Sequence, residues 1–76
     1  MREDDGWSAQ QAAVGDRLRA ARMTANMTQQ ALADAADVSR ALVQRIEQGT
    51  GTPGLRHLWQ IAQVLDVELA DLLRRP

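Results

Sequence analysis

The chain contains no cysteine, no tyrosine, no phenylalanine and no lysine. Without cysteine there is no disulfide framework and no thiolate metal site, so apolar packing alone must hold the fold. The single histidine, His57, has no partner with which to build a metal site and is expected to be exposed. No apolar run approaches the roughly 18 residues that span a bilayer, and the N-terminus is acidic where a signal peptide would be basic and then apolar. A soluble, cytoplasmic protein without a membrane partner is expected. There is also no Gly-rich phosphate loop and no carboxylate pair at a workable spacing. Acid–base or nucleophilic catalysis therefore has no residues to use, and neither an enzyme nor a cofactor is expected.

What is present favours helix. The 76 residues suit one domain with an adequate core, and 45% of them are apolar, mostly Ala, Leu and Val. The net charge of −1 is unevenly spread. Residues 1–16 balance at −3, residues 17–56 at +3 and residues 57–76 at −1. A polyanion responds to the local face, so a basic middle between acidic ends is compatible with nucleic acid. All nine basic residues are Arg, which suits bidentate recognition of phosphate and guanine, although a high-GC coding bias yields the same set.

Punctuation divides the chain into short helical segments. Residues 1–12 read as an acidic N-terminal extension, with residues 1–6 frayed and the Glu3–Asp5 run solvated, and residues 13–76 as the domain. Ser8 and Gln11 form a capping-box pattern, so a first helix is expected from Ser8, or only from about Ala13 because Gly15 weakens its middle. Trp7, Val14, Leu18, Ala21 and Ala25 share one face of it, and Asn26 stops it. Thr28 caps a second helix that ends at Asp37, a residue type that tolerates the left-handed conformation. Ser39 caps a third, with Val38, Leu42 or Val43, and Ile46 on its apolar side, closed by Gly49. Residues 49–54 form a loop by composition. A fourth helix places Leu55, Leu58, Ile61 or Ala62, and Leu65 inward. A last short helix spans about Leu69 to Arg74, with Leu72 and Leu73 inward.

Thr28–Ala36 and Ser39–Gln48 are thus two short helices joined by a tight turn, the description of a helix-turn-helix. The pattern Thr28-Gln29-x-x-Leu32-Ala33, Val38-Ser39 and Ile46-Glu47-x-Gly49 resembles the phage-repressor helix-turn-helix family, also called the Cro/C1 or xenobiotic-response-element type. Gly15-x-Arg17-Leu18-x-x-Ala21-Arg22 is similar to the family's first helix. Pro53-x-Leu55-x-x-Leu58-x-x-Ile61-Ala62-x-x-Leu65-x-Val67 is similar to its fourth helix and the entry to its fifth. The likeness covers about four-fifths of the chain, Val14 to Leu73.

The resemblance implies an all-α, five-helix, lambda-repressor-like domain that binds duplex DNA to regulate transcription, most simply as a repressor dimer on an inverted-repeat operator. It implies that Gln29, beside the cap Thr28, bonds a DNA phosphate and braces the recognition helix. Ser39–Gln48 would enter the major groove by its N-terminal end. Arg40 could pair guanine O6 and N7, Gln44 adenine N6 and N7, and Ala41 a thymine methyl, with Arg45 on a base or a phosphate. Arg22 and Glu47 would form a structural ion pair between the first helix and the end of the third. Trp59, Val67 and Leu69 would contribute to a dimer interface, with plain core as the alternative for Trp59.

The chain also departs from the family's pattern. Asp37 stands where a Gly is usual, Gly54 where a Ser or Thr cap is usual, and the loop 49–54 carries no Lys or Arg, leaving Thr50, Thr52 and backbone amides for phosphates. Two other readings stay open. In one, the domain is the antidote of a toxin–antitoxin pair and also binds a partner protein, with Trp7 as partner surface. In the other, it is a helical adaptor that keeps the fold without binding DNA.

Overall fold

The computed structural model describes residues 5–76, so Glu3 and Asp4 of the acidic run lie outside the described residues. Among the described residues there are five helices and no strand: α1 (Trp7–Thr24), α2 (Gln29–Ala36), α3 (Arg40–Glu47), α4 (Leu55–Leu65) and α5 (Leu69–Leu73). The all-α expectation holds. The Thr28 hydroxyl accepts the Ala31 N–H at 3.0 Å and the Ser39 hydroxyl accepts the Leu42 N–H at 3.0 Å. Each cap satisfies one of the free amides at a helix start, worth about 0.5–2 kcal/mol. Gly54 offers no side chain to α4, and no cap bond forms there.

The first four helices stop in one way. Asn26, Asp37, Gly49 and Asp66 each take a left-handed conformation, with φ between 57° and 73°. The residue after each returns its N–H to a helix carbonyl five positions back: Met27 to Arg22, Val38 to Ala33, Thr50 to Arg45 and Val67 to Ala62. This is the Schellman closure, and the apolar residues Met27, Val38 and Val67 that follow three of the turns pack against the core.

The core joins all five helices. Leu18, Leu32, Ala33, Val43 and Ile61 are fully buried, with Val14, Ala36, Ile46, Leu58, Ala62, Leu65 and Leu72 around them. Helix α1 packs on α3 and α5, α2 on α3 and α4, and α4 on α5. The inward placement of Leu55 and Leu73 is corrected, and the shared face of the first helix is not buried along its whole length. Leu55 is 70% exposed because it opens α4 beyond the edge of the core, and Leu73, Trp7 and Ala25 are also exposed.

The start of α1 differs most from expectation. Gly6 takes the cap position, Ser8 lies inside the helix rather than capping it, and no break occurs at Gly15. Residues 7–12, expected in an extension, are the first turns of α1. Gln10 donates to the Leu73 carbonyl at 2.8 Å and Gln11 to the Gly51 carbonyl at 2.9 Å. Gly15 is buried where α1 crosses α3, and a Cβ there would meet the Ile46 carbonyl oxygen at 2.3 Å. It is a contact residue rather than a helix breaker.

Arg17 acts at the other end of the chain. Its guanidinium donates to the carbonyls of Leu72, Arg74 and Arg75. These acceptors end or follow a five-residue helix that has no cap bond of its own at its start, so Arg17 and Gln10 together fasten α5 to α1.

Candidate nucleic-acid interface

Two helix starts and one loop compose the surface. Thr28 and Ser39, the caps of α2 and α3, are exposed, as are Arg40, Ala41 and Arg45 along the outer side of α3, while Gln44 is half-buried. Val43 and Ile46 on the opposite side are buried. The helix period therefore separates a core-facing stripe from a displayed one within eight residues. A helix of this length has little stability of its own and depends on its packing.

Glu47 fixes the C-terminal end of α3. Its side chain is only 1% exposed, which for a carboxylate is tolerable only with full partnering. Arg22 supplies a bidentate pair, Nε to Oε2 at 2.6 Å and Nη2 to Oε1 at 3.0 Å, and its Nη1 donates to the Met27 carbonyl at 2.7 Å. Gln29 Nε2 donates to Oε1 at 3.1 Å, and Arg19 Nε lies 3.6 Å from the same oxygen. Burial alone would push the Glu47 carboxyl up. The hydrogen bonds from Arg22 and Gln29, with the charges of Arg22 and Arg19, outweigh it and hold the group below the ordinary carboxylate range. The Glu47 hydrogen bond likewise raises the Arg22 guanidinium against its desolvation.

One carboxylate thus ties α1, the start of α2 and the end of α3. The expected ion pair is present, and Gln29 has a defined bracing bond. The pairing also involves Arg19, which the sequence reading did not single out. An Arg one turn from Arg22 on the same helix was the available signal.

The loop after α3 is more committed than expected. The amides of Gly49, Thr50 and Gly51 all return to α3 carbonyls, at 3.0, 3.0 and 3.2 Å. The Thr50 hydroxyl donates to the Arg45 carbonyl at 3.3 Å. The backbone amides of residues 49–51 are therefore not available to phosphates, a correction that follows from the closure of α3. Thr50 and Thr52 remain exposed.

Of the residues expected at a dimer contact, Trp59 is 49% exposed, so it is not core. Val67 and Leu69 are half-buried against the chain's own core. Leu55 lies one helical turn before Trp59 and extends its exposed face. His57 is exposed, and no group of residues suited to hold a metal occurs among the described residues. No helix is long and apolar enough to cross a membrane among the described residues.

Comparison with known proteins agrees with this geometry. Residues 18–72 match the family described as helix-turn-helix, HTH_3. An uncharacterised HTH-type transcriptional regulator of Sinorhizobium fredii, y4dL, is 36% identical over 56 residues. That match covers 74% of this chain but 29% of the relative, so the chain spans under a third of that protein's length. The restriction-modification controller protein C.AhdI of Aeromonas hydrophila superposes with a TM-score of 0.80 at 30% identity, over 84% of this chain and 97% of that one. The clp gene regulator ClgR of Corynebacterium glutamicum superposes with a TM-score of 0.78 at 28% identity, over 84% and 68% respectively.

Proposed function

Since this chain belongs to the Cro/C1-type helix-turn-helix family of DNA-binding transcription regulators, we propose that it is a repressor that binds an inverted-repeat operator as a symmetric dimer. One observation carries the reading. The outer side of α3 displays Arg40, Ala41 and Arg45, while its inner side and its end at Glu47 are locked into the core. Such a helix is preorganised for insertion into a major groove. In this reading Arg40 pairs guanine, Gln44 adenine and Ala41 a thymine methyl. Thr28, Gln29 and Ser39 meet phosphates at the two helix starts, where backbone N–H groups and the dipole favour an anion. Thr52 and Arg45 complete the backbone contacts, joined by Thr50 when its hydroxyl exchanges the Arg45 carbonyl for a phosphate.

The dimer follows from the arithmetic of contacts. One domain offers a single short helix with two Arg and an uncharged loop, too little for the roughly 10⁻⁸ M or tighter of specific sites. Two copies double the contacts, with Trp59, Val67 and Leu69 as the pairing surface and half-site centres about 34–36 Å apart. Sedimentation with a palindromic duplex tests this: two chains per duplex are expected, and a strict 1:1 complex at every protein excess rules the dimer out.

A second reading, the antidote of a toxin–antitoxin pair, draws on a small apolar cleft. Trp7 and Leu73, both partly exposed, line it beside Val14, Pro53 and Leu58, and its volume is about 110 Å³. Stoichiometric co-purification with a second small protein from the native source favours that reading, and its absence removes it.

A further inference from the structure

We propose that Arg19 is a further phosphate-binding residue of this surface, carrying to the DNA backbone a positive charge that the Glu47 cluster leaves in surplus. The inference rests on the DNA-binding reading above. Glu47 carries one negative charge, and the bidentate Arg22 pair already neutralises it at 2.6 and 3.0 Å. Arg19 adds a second guanidinium at 3.6 Å from Oε1, beyond direct hydrogen-bond distance. The cluster of Arg19, Arg22 and Glu47 therefore carries a net positive charge.

That surplus lies on the open side. The Arg19 side chain is 52% exposed, against 14% for Arg22 and 1% for Glu47. Its neighbours on the same carboxylate oxygen are Arg22 and Gln29, the latter the first residue of α2. The arrangement sets a solvated guanidinium beside a helix start whose amides already favour an anion. Arg17 differs, because the carbonyls of Leu72, Arg74 and Arg75 occupy it. The Arg19 terminal nitrogens have no protein acceptor among the described residues. Two terminal nitrogens, with four N–H donors, remain for a phosphate, and the Glu47 oxygen beside Nε restrains the stem that would present them.

Titration of a fluorescent duplex with wild type, Arg19→Gln and Arg19→Lys across 50–200 mM salt tests this. Each neutralised phosphate contributes about −0.9 to the slope of log affinity against log salt, so with two chains on a duplex Arg19→Gln should lose about 12-fold less affinity than wild type over that range, or about 3.5-fold less per bound chain. Its weakening at low salt should be the same for random and selected duplexes. Arg19→Lys should keep the wild-type slope and melting temperature, and Arg19→Gln should melt only slightly lower, since the Arg19 charge is the smallest of the influences on Glu47. An unchanged slope in Arg19→Gln overturns the proposal. So does a lowered melting temperature with an unchanged slope, which would make Arg19 a structural brace for Glu47. Wild-type protein that shows no salt-dependent binding to any duplex defeats the DNA-binding reading itself, a different outcome from a bound wild type with an unmoved slope.

Discussion

Gly15 in α1 and Ile46 in α3 are in backbone contact: a Cβ on Gly15 would stand 2.3 Å from the Ile46 carbonyl oxygen and 3.0 Å from that of Glu47. Neither obstacle is a flexible side-chain end, so the helices would have to separate. Gly15→Ala therefore sets two effects against each other. Helix propensity favours Ala by about 0.8–1.0 kcal/mol, while overpacking costs about 1–3 kcal/mol. Net destabilisation is expected. A chemical denaturation curve with an unchanged or higher midpoint would show that α1 and α3 are not in such contact.

Removal of Glu47 should be the costliest single change to a polar residue. Glu47→Ala leaves Arg22 half-buried without its partner, an effect of about 3–5 kcal/mol for a buried pair, against about 0–1 kcal/mol for an exposed one. The pH dependence follows from the lowered carboxyl. A folded value below the unfolded one of about 4.3 gives stability that is present above the unfolded value and is lost as pH falls through the folded value. The stability difference between wild type and Glu47→Gln should therefore be largest near neutrality and shrink below about pH 4. Parallel curves at every pH would remove Glu47 as the source.

Base and phosphate roles should separate by sequence. Arg40→Ala should cost about 1–3 kcal/mol and relax preference at one base pair per half-site, while Gln29→Ala should weaken all duplexes alike. Gln29→Ala should also lower stability, because its amide donates to the buried Glu47 oxygen at 3.1 Å. A uniform loss in Arg40→Ala would make Arg40 a phosphate contact.

Trp59 tests the pairing surface. It is half exposed and contributes little to the core, so Trp59→Ala should leave the melting curve close to wild type while weakening dimer formation on a palindromic duplex. Analytical ultracentrifugation reads both states. Undiminished two-to-one assembly would place the interface elsewhere.

Local chemistry was legible in the sequence where it acts within one turn. Thr28 and Ser39 as caps, Asp37 and Gly49 as left-handed stops and the loop at 49–54 all follow from residues next to the feature they create. The Asp66–Val67 turn repeats Asp37–Val38 and carried the same signal. The Arg22–Glu47 pair was legible through the family resemblance, since 25 residues separate its members. What escaped depends on tertiary approach. Gly15 reads as a helix breaker until α3 lies against it. Arg17 reads as one more surface charge until the end of α5 comes within its reach, and Leu55 and Leu73 have the periodicity of core residues but lie past its edge. The amides of residues 49–51 look free in the sequence because the closure of α3 spends them outside the helix proper.

In vitro selection of duplexes from a random pool tests the central claim most directly. A dimer reading DNA through α3 predicts enrichment of an inverted repeat with half-site centres about 34–36 Å, one helical turn, apart. Arg40→Ala should lose that preference at one symmetric position in each half. Recovery of no enriched motif, with no salt-dependent retention of duplex by the wild-type chain, would contradict the account.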